Sequence, residues 1–111
     1  MMTRQLLEQV RDQLKLCNAI SYEREFCEQW LGKSECYMRT LKYGDLSPSA
    51  DAMMTCASKL HWYADQLNKS TASHHKHWAE VFEGLRVACV IAVETQAQRN
   101  WRAHMNGSTA E

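Results

Sequence analysis

The stretch FCEQWLGKSECYMRTLKYG, residues 26–44, constrains the fold more than any other part of the chain. It reads as helix, sharp turn, helix. Phe26, Trp30 and Leu31 recur at helical spacing and give a first short helix its apolar face. Gly32 stands where a glycine can take the left-handed conformation that ends a helix. Ser34 is placed to cap a second helix, its hydroxyl accepting from a free backbone N–H. Tyr37, Met38 and Leu41 form the second apolar stripe, and Gly44 closes it. A turn of roughly three to four residues with a glycine joins the two helices in a helix-turn-helix arrangement.

The segments around this stretch also read as helices. Leu7, Val10, Leu14 and Cys17 recur at steps of three and four, so residues 2 to 17 form an amphipathic helix with Thr3 as its cap. Asn18 and Ala19 make a turn, and Ile20 plugs the gap to the next helix. Ser21 caps that helix, with Glu23 and Glu25 in its first turn, where the helix dipole favours acids. Ser47 with Pro48, or Ser49, starts a further helix, because proline suits the first helical position. It runs to about residue 67 with Met53, Cys56, Ala57, Leu60, Ala64 and Leu67 on one face, Trp62 and Tyr63 flanking it. Residues 68–73 are polar and aperiodic, a short linker.

From His74 to about Met105, Trp78, Val81, Phe82, Leu85, Ala88, Cys89 and Ala92 make a long apolar stripe. Residues 87–93 are apolar on every side, which requires burial on more than one face. This run is short enough for a strand, but its alanines and flanking periodicity favour helix. Gly84 could bend or break it. The surplus apolar face suits a second copy of the chain, with Trp78, Phe82, Leu85, Cys89 and Ile91 as the dimer interface. Trp101 stands among Arg99, Arg102 and His104, outside a clear stripe. It is either a partly covered surface ring or an interface anchor, since Trp and Arg are enriched in binding hot spots.

The pattern of Leu31, Gly32, Ser34, Tyr37, Met38, Leu41 and Gly44, followed by Pro48, Ser49, Met53, Cys56, Ala57 and Leu60, resembles the Cro/C1 repressor class of helix-turn-helix domains. The resemblance covers about residues 21–67. It departs from the class at Glu28, where a small residue is usual, and at Lys33, where an apolar one is usual. It implies a compact five-helix DNA-binding domain, often dimeric, whose second motif helix enters the major groove. Ser34, Glu35, Cys36, Arg39, Thr40 and Tyr43 would then face DNA, flanked by Lys33 and Lys42.

Charge weighs against that implication. Lys plus Arg is 13 and Asp plus Glu is 13, so no net field draws the chain to phosphate. Between residues 21 and 60, Arg24, Lys33, Arg39, Lys42 and Lys59 are outnumbered by Glu23, Glu25, Glu28, Glu35, Asp45 and Asp51. A protein-binding adaptor or inhibitor that keeps the fold without DNA recognition is the alternative.

Other chemistries find little support. His74, His75 and His77 are dense, but no second ligand pair at zinc spacing accompanies them, so no metal is expected. The 5 cysteines contain no C-x-x-C pair and no nucleophile signature, and read as reduced thiols. There is no phosphate loop and no G-x-S-x-G, so neither an enzyme nor a cofactor is expected. No apolar run approaches the ~18 residues of a membrane span. Arg11, Asp12 and Lys15 interrupt the leucines a signal peptide would need, which points to the cytoplasm. The single proline and 4 glycines favour helix over β structure. The sequence thus predicts one all-α domain: a Cro/C1-like helix-turn-helix core over about residues 2–67 with an appended long C-terminal helix over about residues 74–105. It would act as a homodimeric DNA-binding regulator, or as the adaptor.

Overall fold

A computed structural model describes residues 2–110, with side chains from residue 4 to residue 105. The chain is all-α. Helix α1 spans Met2–Leu16. Helix α2 begins at Glu23–Glu25 and widens without a break into a π turn, Phe26–Trp30. Helices α3, α4 and α5 span Tyr37–Gly44, Ala50–Asn68 and Ser73–Ala110. Among the described residues none is in a strand, and no helix is long and apolar enough to cross a membrane.

The ends of the first three helices follow one device. Asn18 (φ 64°), Gly32 (φ 66°) and Asp45 (φ 49°) each take the left-handed conformation just past a helix. After α1, the Ala19 N–H reaches back to the Leu14 carbonyl at 2.8 Å; after α3, the Leu46 N–H does the same to Leu41 at 2.8 Å. These bonds satisfy carbonyls that the helix leaves without partners. After α2 the bond spans one residue more, from the Lys33 N–H to the Cys27 carbonyl at 2.9 Å, because the π turn is wider. That width has a packing reason. Phe26, Cys27, Trp30 and Leu31 are all buried, and an i→i−5 turn gathers four such positions over a narrower arc than an α turn.

Several details differ from the expectation. The connection between the motif helices is residues 31–36, longer than a tight turn, and Cys36 rather than Ser34 is the residue before α3. Ser34 instead uses its carbonyl, which accepts the Tyr37 N–H at 3.1 Å. Ser21 does not cap α2; the Glu25 carboxylate accepts both the Ser21 and the Tyr22 N–H, at 3.0 and 3.1 Å. Gly44 lies inside α3 and Asp45 makes the turn. A Cβ there would come within 3.0 Å of the exposed Leu46 side chain, which would have to shift slightly. Thr3 lies within α1, with its side chain outside the described residues. Ser49 caps α4 as read, its hydroxyl accepting the Ala52 N–H at 3.1 Å.

Helices α4 and α5 form an antiparallel hairpin. The buried Cys56 and Cys89 thiols meet across it, and His61 meets Glu83. That register carries the start of α4 to the level of Thr95, and α5 runs on beyond it. At 1.5 Å per residue α5 is about 57 Å long, and it accounts for the 59 Å long axis of the molecule. Gly84 does not break it.

The core runs through all five helices: Leu7, Val10 and Leu14 of α1, Phe26 and Trp30 of α2, Met38 and Leu41 of α3, Met53, Cys56 and Leu60 of α4, and Phe82 and Cys89 of α5. Each large apolar side chain so covered contributes about 1.5–3 kcal/mol. An aromatic series ties the halves together. Trp30 stacks on Tyr63 at 5.0 Å, Tyr63 meets Phe82 edge-on at 6.4 Å, and Phe82 meets Trp78 at 6.0 Å. Of the two rings flanking the α4 stripe, Tyr63 joins this series and Trp62 lies outside, more than half exposed.

Candidate nucleic-acid interface

Helix α3 is two turns long and amphipathic. Met38 and Leu41 enter the core, which fixes the rotation of the helix and turns Arg39, Thr40, Lys42 and Tyr43 to solvent. Tyr43 is 84% exposed. Ser34 and Glu35 are exposed in the turn before α3. Of the eight residues expected to face or flank DNA, six are therefore exposed, and Cys36 and Lys33 are half-buried.

Lys33 differs. Its ammonium is tied to Asp51 of α4 at 2.9 Å and lies 6.0 Å from the Tyr37 ring. The Asp51 hydrogen bond raises its pKa, so it is charged, but the charge is partnered. Arg39 donates to the Cys36 sulfur at 3.0 Å, which holds the guanidinium along the start of α3. Beside it, an open recess of about 530 Å³ is lined by Tyr22, Glu23, Arg24, Glu35 and Arg39. Arg24 lies 5.6 Å over the Tyr22 ring.

The acids that outnumber bases in this segment are largely answered from elsewhere in the fold. Arg11 of α1 binds Glu23 at 2.6 Å. Arg4 of α1 binds Asp45 at 3.2 Å and also donates to the Leu41 carbonyl. Lys33 takes Asp51, and Glu25 caps α2. Glu28 and Glu35 remain without a cationic partner among the described residues, against Arg24, Arg39, Lys42 and Lys59 without a carboxylate, Lys59 donating instead to the Gln29 carbonyl. A count confined to residues 21–60 misses this, because Arg4 and Arg11 arrive from a helix distant in sequence. Nothing in the sequence pattern signals that Tyr22 and Arg24 border α3.

The expected dimer residues divide. Phe82 and Cys89 are fully buried against α4, and Trp78 and Leu85 are half-buried, so the chain itself covers most of that stripe. Ile91 remains exposed. The all-round apolar run is explained in part within one chain, with Cys89 toward α4 and Ala88 and Ala92 toward α1.

The remaining candidates show no assembled chemistry. His75 bonds the Ser70 hydroxyl at 2.8 Å and meets His74 edge-on at 4.2 Å. Among the described residues no group of three His, Cys, Asp or Glu side chains is placed to hold a metal. The hydrogen bond with Cys89, together with burial, drives the Cys56 thiol far above its ordinary range, so it stays protonated and inert.

Compared with known proteins, residues 7–102 match a family of unknown function, DUF6626. No curated protein and no solved structure matches the chain. A match over that span leaves only short ends outside it, and the chain belongs to the DUF6626 family.

Proposed function

We propose that this protein is a small DNA-binding regulator of transcription that acts as a homodimer, with α3 as its reading helix. The observation that carries this is the outer face of α3. Its core side is fixed by Met38 and Leu41, its outer side offers Arg39, Thr40, Lys42 and Tyr43, and the neighbouring acids Glu23, Asp45 and Asp51 are held by Arg11, Arg4 and Lys33. The Cro/C1-like pattern of residues 21–67 supports the same reading. Arg39 would bond a guanine edge, and Thr40 and Tyr43 would reach phosphate or base edges. Lys42 would neutralise phosphate at the flank.

Glu35 shapes the expected behaviour. It can accept from a cytosine amino group, but elsewhere it repels the backbone, so affinity for random duplex is low. Selection from a random duplex pool at moderate salt should enrich one palindromic site. Arg39→Ala should weaken binding to that site by roughly 1–3 kcal/mol. The second reading, a protein-binding adaptor, draws on Leu46, whose exposed apolar side chain beside Tyr43 has no part in reading DNA. No enrichment at any salt, with a nuclease-resistant protein partner captured by α3, would make that reading the right one.

A further inference from the structure

On the outer side of α5, away from α4, six positions follow one another at steps of four and three: Val87, Ile91, Glu94, Gln98, Trp101 and Met105. This spacing draws a seam along one face of a helix. Val87, Ile91, Trp101 and Met105 are 41%, 58%, 50% and 56% exposed. Between them Gln98 donates to Glu94 at 3.2 Å. The stripe is apolar at both ends and polar in the middle. It is also palindromic, since Val87 and Met105, Ile91 and Trp101, and Glu94 and Gln98 are each placed symmetrically about residue 96.

We propose that two copies of the chain pair through this stripe, with their α5 helices antiparallel and crossing at residue 96. The proposal deepens the homodimer part of the reading above and does not depend on DNA recognition. A two-fold interface must be self-complementary, and this stripe is. In the antiparallel register Ile91 faces Trp101 of the second copy, Val87 faces its Met105, and Glu94 faces the Gln98 amide. A parallel pairing would set Glu94 against Glu94 and Arg102 against Arg102, so like charges select the antiparallel arrangement.

The shape of the molecule agrees. Helix α5 extends past the start of α4, so the Trp101 end projects from the body and can lie along another copy. Beside Ile91 a cleft of about 510 Å³ opens between α1 and α5, lined by Leu6, Ala88 and Ala92 on its apolar side. Trp101 of the second copy, opposite Ile91, comes to the mouth of that cleft. A covered Trp buries 150–250 Å². Two of them with the other six apolar side chains, half of that area being exposed beforehand, approach the order of 1,000 Å² that a specific interface needs.

Sedimentation and cysteine cross-linking test the pairing. The wild-type chain should sediment as a dimer at micromolar concentration. Trp101→Glu and Ile91→Glu, both at exposed positions, should each raise the dissociation constant about tenfold or more while the helical circular dichroism is unchanged. For the register, Val87→Cys and Met105→Cys are made separately in a Cys17→Ser, Cys36→Ser background and treated with a mild oxidant. The mixture should cross-link, and neither variant alone should. A monomeric wild type would overturn both this pairing and the homodimer reading. A dimer indifferent to Trp101→Glu, or one that cross-links through Val87→Cys alone, would overturn this pairing and leave the homodimer reading standing.

Discussion

Between α4 and α5, contact is kept by periodicity. Met53, Cys56, Leu60 and Ala64 on one helix and Ala79, Phe82 and Cys89 on the other recur at steps of three, four and seven, and two long helices need only lie antiparallel to cover them. Between α2 and α3 there is too little helix for that. Eight residues of α2 and eight of α3 are held by a π turn, two left-handed residues, a carboxylate cap and ion pairs from α1. The first region spreads its stability over many equivalent contacts. The second concentrates it in a few residues that have no substitute. The surface proposed to read DNA belongs to the second region and the surface proposed to pair copies belongs to the first.

The sharpest way to break this contrast is Trp30→Ala. Trp30 is buried, stacks on Tyr63 and lies under the Lys59 ammonium at 4.9 Å, so it is the joint between the two regions. Its loss should cost about 3–5 kcal/mol, read from urea unfolding. A cost below about 1 kcal/mol would mean that caps and ion pairs, not packing, hold α2 to the hairpin.

Two glycines sharpen the comparison because they should respond with opposite sign. Gly32 takes φ 66°, so Gly32→Ala should destabilise by roughly 1–2 kcal/mol even though the nearest atom to the new methyl, on Thr55, is 3.8 Å away. Gly84 sits in regular α5 with open space around it. Gly84→Ala should raise stability by about 0.5–1 kcal/mol. Thermal melts of the two variants check both, and a shift of the same sign in each would remove the distinction.

The smallest effect lies on the hairpin surface. The Arg86 guanidinium, with help from His61, holds the Glu83 carboxyl below the usual carboxylate range. A depressed folded pKa gives stability that is present above the unfolded value of about 4.3 and lost as pH falls through the folded one. Because the Glu83 side chain is 41% exposed, solvent screens the pair and the contribution should be no more than about 0.5 kcal/mol. Glu83→Gln should remove that slope from stability measured between neutral pH and acid. An unchanged slope would place the pH dependence elsewhere.

How far each region could be read beforehand follows from the same contrast. The two helices of the hairpin were legible because their signal repeats; their pairing was not, since the stripe of Phe82 and Cys89 suits a second copy as well as it suits α4. The stripe of α4, the Ser49 cap and the helical character of residues 87–93 all rest on several concordant positions. The motif region was legible in outline, through Gly32 and the two apolar stripes. Its details were not, because single residues decide them. Ser34 and Ser21 have the right chemistry for caps, but Cys36 and Glu25 stand where the backbone begins to turn. Gly44 is at the helix end, yet it stays helical and Asp45 takes the left-handed turn.

For the candidate surfaces the division is physical. Helical periodicity is a local property, so the amino-acid order alone placed Met38 and Leu41 inward and Arg39, Thr40 and Tyr43 outward on α3. The spacing of Val87, Ile91 and Trp101 on α5 is equally local, but it stands out as a stripe only once α4 has covered Phe82 and Cys89. Which apolar faces stay exposed, and which acids stay charged toward solvent, depends on residues far apart in the chain. Only the folded arrangement could bring Arg4 and Arg11 of α1 to Asp45 and Glu23, and cover Phe82 and Cys89 with α4 while leaving Ile91 bare. Burial and ion pairing are sums over neighbours in space, and sequence spacing does not say who those neighbours are.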